Sequence, residues 1–362
     1  MPSQLRSAYA RAEDWREAVD ACLRQIGDCE GANLGFVYFS DYFVDAAQDL
    51  LHRLRSATGV VNWVGTVAHG VCGAGQASTD EAALALLVGH FPESSFHVFS
   101  GREPLRSAEG EHYFAVVHAD PNTPDMSELV ADMAGKVTSG FITGGLSSGR
   151  GPTVQIANGV LSGGISGVAF SPAVGVATRL TQGCLPLPGV FRITECEDNI
   201  VSRLDRRPAL QVYVEAVGAD FAQDLRRAAA TVLVGLPVRG RETGDYLVRH
   251  VVGIDPQNGL LAINEKVEPG QSLLFCRRDG DAAQQDMRRM LDTLRESLTA
   301  PPRGGLYVCC TARGSGMFDN DNVEMQMIRD TLGDIPIAGF FAAGEIAHDR
   351  LYGYTGVLTL FT

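Results

Sequence analysis

Apolar and polar positions recur along this chain in the same order three times. Residues 34–40 form an almost unbroken apolar run that predicts a buried strand, 42–55 carry helical spacing, and 61–67 predict a second strand, followed by strands at 83–91 and 95–99. The order restarts with a strand at 112–119, a helix at 126–137 and a strand at 140–145, followed by strands at 154–161, 164–170 and 174–180. It restarts again near the carboxy terminus, with a strand at 305–311, a helix at 322–332 and strands at 335–342 and 354–361. Aligned, the three cycles set Val64-Gly65-Thr66-Val67-Ala68-His69-Gly70 beside Ile142-Thr143-Gly144-Gly145-Leu146-Ser147-Ser148-Gly149 and Ile337-Ala338-Gly339-Phe340-Phe341-Ala342-Ala343-Gly344. Each copy is a strand, a helix and a glycine-bearing strand that ends in small residues, the pattern of an internal strand–helix–strand repeat.

Two segments stand outside the cycles. Residues 8–27 read as an amphipathic helix with Trp15, Ala18, Val19, Cys22, Leu23 and Ile26 on one face. Between the second and third cycles lie a strand at 190–197, a helix at 208–217 opened by Pro208, a hairpin of 246–252 and 259–264 around Asp255-Pro256-Gln257-Asn258-Gly259, a strand at 272–276 and a helix at 282–298. Strands outnumber helices and no sustained β-α-β run is visible. The fold class is therefore α+β, with two packed domains of mixed, largely antiparallel sheets flanked by helices and a boundary near Asp205.

Composition narrows the partners. The chain has 362 residues, 45% hydrophobic and 20% charged, enough to bury a large core. A formal net charge of -13 disfavours nucleic acid and anionic membranes, which would repel it. No apolar run approaches the roughly 18 residues of a membrane span, and the amino terminus leads directly into polar helical sequence. Cysteines at 22, 29, 72, 184, 196, 276, 309 and 310 show neither C-x-x-C pairs nor framework spacing, so they read as reduced thiols and the expected location is cytoplasmic. Two lysines against 28 arginines look like the coding bias of a GC-rich bacterium.

Several motifs carry candidate chemistry. Gly145-Leu146-Ser147-Ser148-Gly149 has the letters of the nucleophile elbow G-x-S-x-G, but Arg150-Gly151-Pro152 and a strand follow where a helix is required. The stretch from Gly144 to Gly151 also approaches a phosphate loop, with Arg150 in place of the lysine. The other readings are a glycine-rich turn, or a loop whose N–H groups and Ser147 and Ser148 hydroxyls face a ligand. Glu345 and His348 are spaced as two helical metal ligands, but the segment is strand-like and no second pair exists, so no metal or cofactor is expected. Glu345 follows Ala342-Ala343-Gly344 at a strand end, where a carboxylate can receive an amine or a backbone N–H. Arg313, opening Gly314-Ser315-Gly316, either clamps a ligand carboxylate or forms an intramolecular salt bridge. Cys310 and Cys184 lack a neighbouring histidine base.

Cys310-Thr311-Ala312-Arg313-Gly314, the segment from Ile337 to Ile346 and Tyr354-Thr355 resemble the carboxy-terminal FIST signature. Upstream, Val64-Gly65-Thr66, Gly144-Gly145, Gly163-Gly164, Gly167-Val168-Ala169, Gln182-Gly183-Cys184-Leu185-Pro186 and Leu204-Asp205-Arg206-Arg207-Pro208-Ala209-Leu210 resemble the amino-terminal FIST domain and its junction. The likeness covers residues 30–362. Thr311-Ala312 and Ala342-Ala343 depart from the more polar pairs usual there. With the amino-terminal helix assigned to 1–29, the resemblance implies a FIST N-terminal domain at 30–205 and a FIST C-terminal domain at 206–362. It also implies a sensory module of signal transduction that binds a small, amino-acid-like ligand and signals to a separate partner. The expected ligand site is a cleft between the two domains lined by Gly144, Gly145, Ser147, Arg313, Phe340, Gly344 and Glu345, in which Arg313 holds a carboxylate, Glu345 an amine and Phe340 gives apolar contact. The alternatives are a hydrolase using Ser147 or Cys310 and a protein-interaction scaffold; no catalytic residue is assigned.

Overall fold

A computed structural model describes residues 5–106, 112–218, 224–238 and 246–362. Among these the chain forms two compact units, one of residues 1–182 with 284–362 and one of residues 183–283 inserted between them. Both units are α+β; the sheets of the larger unit are mixed, and the described pairings of the inserted unit are all antiparallel.

In chain order the larger unit opens with β1 (Arg6–Arg11), α1 (Trp15–Ile26), β2 (Leu34–Ser40), α2 (Ala47–Thr58), β3 (Asn62–Ala68), β4 (Gly70–Gly73), β5 (Gln76–Thr79), β6 (Ala83–Gly89) and β7 (Phe96–Phe99). It continues with β8 (Phe114–Ala119), α3 (Met126–Ala134), β9 (Phe141–Leu146), β10 (Gln155–Ala157), β11 (Val160–Leu161), β12 (Ile165–Phe170) and β13 (Val176–Gln182). The inserted unit holds β14 (Cys184–Glu197), β15 (Ile200–Leu204), β16 (Arg207–Pro208), α4 (Ala209–Val217), α5 (Leu225–Thr231), β17 (Val232–Pro237), β18 (Tyr246–Arg249), β19 (Val251–Asp255), β20 (Leu260–Ile263) and β21 (Ser272–Arg278). The helix α6 (Gly280–Ser297) leads back to β22 (Gly304–Cys310), α7 (Val323–Leu332), β23 (Ile337–Ala342), β24 (Glu345–His348), β25 (Arg350–Tyr352) and β26 (Thr355–Phe361).

The three cycles read from the sequence are three parallel strand pairs joined by helices: β2-α2-β3, β8-α3-β9 and β22-α7-β23. Each pair is the centre of its own six-stranded sheet, and the three sheets have the same plan. The first strand of each pair is flanked by an antiparallel strand from its own cycle, β6, β12 or β26, and beyond it by an outer strand, β1, β7 or β13. The second strand is flanked by a hairpin from a different cycle. Hairpin β4–β5 pairs with β23, β10–β11 with β3, and β24–β25 with β9. The three cycles thus exchange hairpins in a ring.

One backbone feature repeats in each parallel pair. Gly65 stands opposite Val37, Gly144 opposite Val117 and Gly339 opposite Tyr307. A Cβ added at any of the three would lie 1.7 to 1.8 Å from the facing carbonyl oxygen, and Gly65 and Gly144 have φ of 159° and 146°. Only glycine allows the strands to approach this closely.

The inner faces of the three sheets share one core that includes Phe36, Tyr38, Val116, Val168, Val308, Phe340 and Phe361. The outer faces are covered by helices: α1 and α2 on the first sheet, α3 on the second, α6 and α7 on the third. The inserted unit has an eight-stranded sheet whose core includes Ile193, Val201, Tyr213 and Phe275 with α4 and α5. Residues 8–11, read from the sequence as helix, form the end of β1. They complete the antiparallel edge of β6, and the Asp14 side chain caps α1 by accepting the Arg16 N–H, which starts the helix at Trp15.

Gly339→Ala is expected to destabilise the protein by about 3 kcal/mol or more, through overlap with the Tyr307 carbonyl. Gly151→Ala, where a Cβ meets nothing within 4 Å, is the control and should stay within about 0.5 kcal/mol. Denaturant unfolding of the two variants reads the difference.

Candidate functional site

The shared plan makes positions in the three cycles directly comparable. Three residues beyond Val37, Val117 and Tyr307 stand Ser40, Asp120 and Cys310, at the ends of the first strands. Each is an acceptor for backbone N–H groups where the chain turns. Ser40 Oγ accepts from Ala83 N–H at 2.9 Å, and Asp120 accepts from Asn122 and Gly163 N–H at 2.9 and 3.1 Å. The Cys310 sulfur faces the N–H groups of Ala312 and Tyr354 in the same way. Burial pushes the Cys310 thiol up to about 12. By its place in the plan Cys310 closes a strand end.

The exchanged hairpins give a second equivalent set, Gln155, Glu345 and Val71, opposite Thr66, Gly145 and Phe340. All three are buried. Val71 is apolar. Gln155 is satisfied at both ends, donating to the Gly164 carbonyl at 3.3 Å and accepting from the Ser166 hydroxyl. Glu345 breaks the pattern. Its Oε2 accepts from the Thr355 N–H at 3.1 Å and the Thr355 hydroxyl at 2.7 Å, while its Oε1 is buried without a hydrogen-bond partner. Burial outweighs those bonds and raises its carboxyl from the usual 4.5 to about 8. The Cys310 thiol lies beside it.

Arg313 is 1% exposed, and its guanidinium is engaged within the protein. Nε donates to Glu324 Oε1 at 3.0 Å, Nη2 donates to the same oxygen, and Nη1 donates to the Tyr354 carbonyl at 3.1 Å. The Tyr307 hydroxyl donates to Glu324 Oε1 at 2.8 Å, and the Phe318 ring lies 5.6 Å from the guanidinium. Of the two sequence readings for Arg313, the arrangement is that of the intramolecular salt bridge. Glu324 gave no signal in the sequence, because a 3₁₀ turn at Gly314–Gly316 and the start of α7 separate it from its partner.

The other residues of the expected ligand site all lie in the larger unit, whereas Cys184 opens β14 of the inserted unit. Gly144 and Gly145 are in β9, facing Ile346 and Glu345 of β24. Gly344 accepts the Leu146 N–H at 2.9 Å, and a Cβ on it would press Leu351 at 3.0 Å. Ser147 is fully buried; it shares a 2.6 Å hydrogen bond with the Thr66 hydroxyl and donates to the Ala119 carbonyl at 3.3 Å. Phe340 sits in the central core, stacked on Tyr38 at 4.9 Å and 5.9 Å from the His118 ring. The structure thus gathers Gly144, Gly145, Gly344 and Glu345 on two paired strands. Arg313 is within electrostatic reach of Glu345, and Phe340 is turned inward to the core. In the segments that flank Glu345, Ala343 is exposed and Thr311, Ala312, Leu351 and Gly353 are half-buried.

Two family models cover nearly the whole chain, FIST N domain over residues 33–207 and FIST C domain over residues 209–348. The chain belongs to the FIST family. Among its relatives, an uncharacterized protein of Mycobacterium tuberculosis is 31% identical over 339 residues, 88% of each chain. An uncharacterized protein of Mycobacterium bovis is 27% identical over 355 residues, 92% of this chain and 91% of its own. FIST domains are associated with sensory signal transduction. The FIST N match contains Gly144, Gly145 and Ser147, and the FIST C match contains Arg313, Phe340, Gly344 and Glu345. The two matches meet at residues 207–209, inside the inserted unit. Among the described residues no helix is long and apolar enough to cross a membrane, and no group of three or more histidines, cysteines or acids is arranged to hold a metal.

Two measurements check this geometry. Glu345 binds its proton more tightly folded than unfolded, so its contribution to stability is present below the unfolded value of 4.5 and is lost as pH rises toward about 8. Relative to Glu345→Gln, the wild type should lose about 1.4 kcal/mol of stability per pH unit across that window, read by urea unfolding at several pH values. Arg313→Ala should cost about 3 to 5 kcal/mol, because it leaves Glu324 charged and buried, and the double change Arg313→Met with Glu324→Leu should cost less than either single removal.

Proposed function

We propose that this FIST protein is a sensor that binds a small, amino-acid-like ligand at the strand-end floor around Glu345 and passes its occupancy to a separate signalling protein. The observation that carries the reading is the buried Glu345 Oε1, which has no partner although its counterpart Gln155 is satisfied at both ends. An unsatisfied buried oxygen costs about 1 to 3 kcal/mol, and a group that supplies the missing hydrogen bond recovers that energy on binding. The small residues Ala312, Ala343 and Gly353 leave room for a ligand to approach, and Leu351 and Tyr354 offer apolar walls. Gly144, Gly145 and Gly344 supply backbone beside the carboxyl. Arg313, held by Glu324, keeps the Tyr354 carbonyl and the neighbouring turn in place. Binding would shift the population between two arrangements of the strand ends, one of which the partner recognises.

We place this activity in the cytoplasm of a bacterium. The relatives are bacterial, and the eight cysteines are free thiols, as in a reducing compartment. The hydrolase alternatives draw less support. Ser147 is sealed and bonded to a hydroxyl and a carbonyl, and Cys310 carries a thiol that burial holds in its neutral form.

Thermal unfolding against a panel of amino acids and related metabolites tests the reading. At a hundredfold excess over its Kd, a true ligand adds about 2.7 kcal/mol and raises Tm by several degrees. The shift should vanish in Glu345→Leu. A panel that leaves Tm unmoved, together with native mass spectra of freshly purified protein free of any retained metabolite, would sink the proposal.

A further inference from the structure

Which end of an amino-acid-like ligand meets Glu345 follows from how its two oxygens are used. The inference rests on the reading that a ligand reaches this carboxyl. The Thr355 N–H and hydroxyl both go to Oε2, and the only other donor to the carboxyl among the described residues is the weak S–H of Cys310. Oε2 has the environment of a carbonyl oxygen in a neutral acid, so the proton belongs on Oε1, the oxygen with no partner. The groups that face the carboxyl from each neighbouring element bring no free cation. From β9 comes Gly145, and β25 contributes Tyr352, the cross-strand neighbour. The end of β22 contributes the Cys310 thiol, neutral by burial, with the Cys309 thiol farther off. The loop after β22 brings Arg313, whose charge is met by Glu324 from α7 at a shared oxygen that also takes the Tyr307 hydroxyl. A carboxyl that is wholly buried, lacks an uncommitted counter-ion and has its two strong donors on one oxygen is more stable as the acid than as the anion.

We propose that Glu345 works as a buried neutral acid whose Oε1–H donates to an oxygen acceptor of the ligand, a carboxylate or carbonyl, so that the amine end points away from it. The assignment inverts the role that a carboxylate would take, and it makes the site selective for acids over amines. A buried donor left unpaired by an analogue without the acceptor is penalised strongly, whereas an added amine outside the floor is tolerated. The titration of Glu345 near the alkaline side of neutrality then sets the pH range of sensing.

Three probes separate the ends of one skeleton, chosen because the Leu146 and Leu351 side chains flank Gly344 beside the carboxyl: L-leucine, 4-methylpentanoate, which lacks the amine, and 3-methylbutylamine, which lacks the carboxylate. Calorimetry on the full chain should find binding of leucine and 4-methylpentanoate at about pH 6.5, weakening about tenfold for each pH unit above the titration of Glu345, and none for the amine. Glu345→Gln, which keeps a donor, should bind within about threefold of wild type, and Glu345→Leu should not bind. Infrared difference spectra of wild type against Glu345→Gln should show a neutral carboxylic acid at neutral pH. Tighter binding of 3-methylbutylamine as pH rises, with loss in Glu345→Gln, overturns the inference and leaves the sensor reading standing. So does an ionised Glu345 at neutral pH. If none of the three probes nor the wider metabolite panel binds, the sensor reading falls and this inference with it.

Discussion

The exchange of hairpins among the three sheets is the constraint from which the rest of the larger unit follows. In each sheet the second strand of the parallel pair, β3, β9 or β23, would be an open edge if only its own cycle were present. An open edge pairs with whatever strand is offered, and here it is offered a hairpin from another cycle. No sheet is complete until a second cycle is in place, and the ring closes only with the third. Pairings between β4 and β23, or between β24 and β9, join residues far apart in sequence, so the unit must gather most of its chain before it gains their energy. The inserted unit between β13 and α6 separates the third cycle further, and its own sheet supplies the closure of that long connection.

Repetition of the plan imposes the same local problem three times and shows how each copy solves it. At the turn after the first strand the backbone N–H groups need an acceptor, and serine, aspartate and cysteine fill that place. At the exchanged hairpin the side chain next to the strand end is buried, and valine, glutamine and glutamate fill it. Two of these solutions are stable on ordinary grounds. A valine has nothing to satisfy, and Gln155 has both of its polar ends met. Glu345 is the copy with a remaining cost, and departures from a consistent local scheme are where function is expected to be found.

The parts of this arrangement that were legible in the sequence are those that depend on local pattern. The strand, helix and glycine-bearing strand of each cycle could be aligned because the buried strands are continuous apolar runs and the glycines Gly65, Gly144 and Gly339 fall at one place in each. The hairpins 70–79 and 345–352 were not read as strands. They are short, and their turns use Ala74 and Gly75 or His348 at positive φ, with no Asn-Gly signal. Their partners lie in other cycles, which no local pattern records. For the same reason Glu345 stood out as a polar residue at a strand end, whereas Thr355, Glu324 and Tyr307, which decide what Glu345 and Arg313 can do, did not. Phe340 was read as an apolar contact in the ligand cleft. In the sheet the side chain opposite Val71 points into the shared core, where Tyr38 stacks on it.

The two charged residues drawn from the sequence as a matched pair are instead kept distinct by a third. A guanidinium within reach of a buried carboxyl would ordinarily ionise it and close the site as an internal salt bridge. Glu324 opposes this by pairing with Arg313 at an oxygen that also accepts the Tyr307 hydroxyl, so that the charge is met on α7 while Nη1 donates to the Tyr354 carbonyl. Tyr354 is next to Thr355, and Thr355 is the residue that fixes Glu345 Oε2. The buried ion pair therefore acts on the carboxyl through the backbone as well as through the field of Arg313, which burial outweighs. It holds the strand start that orients Glu345, and its charge is already met by Glu324, so the carboxyl stays raised by burial with Oε1 unbonded.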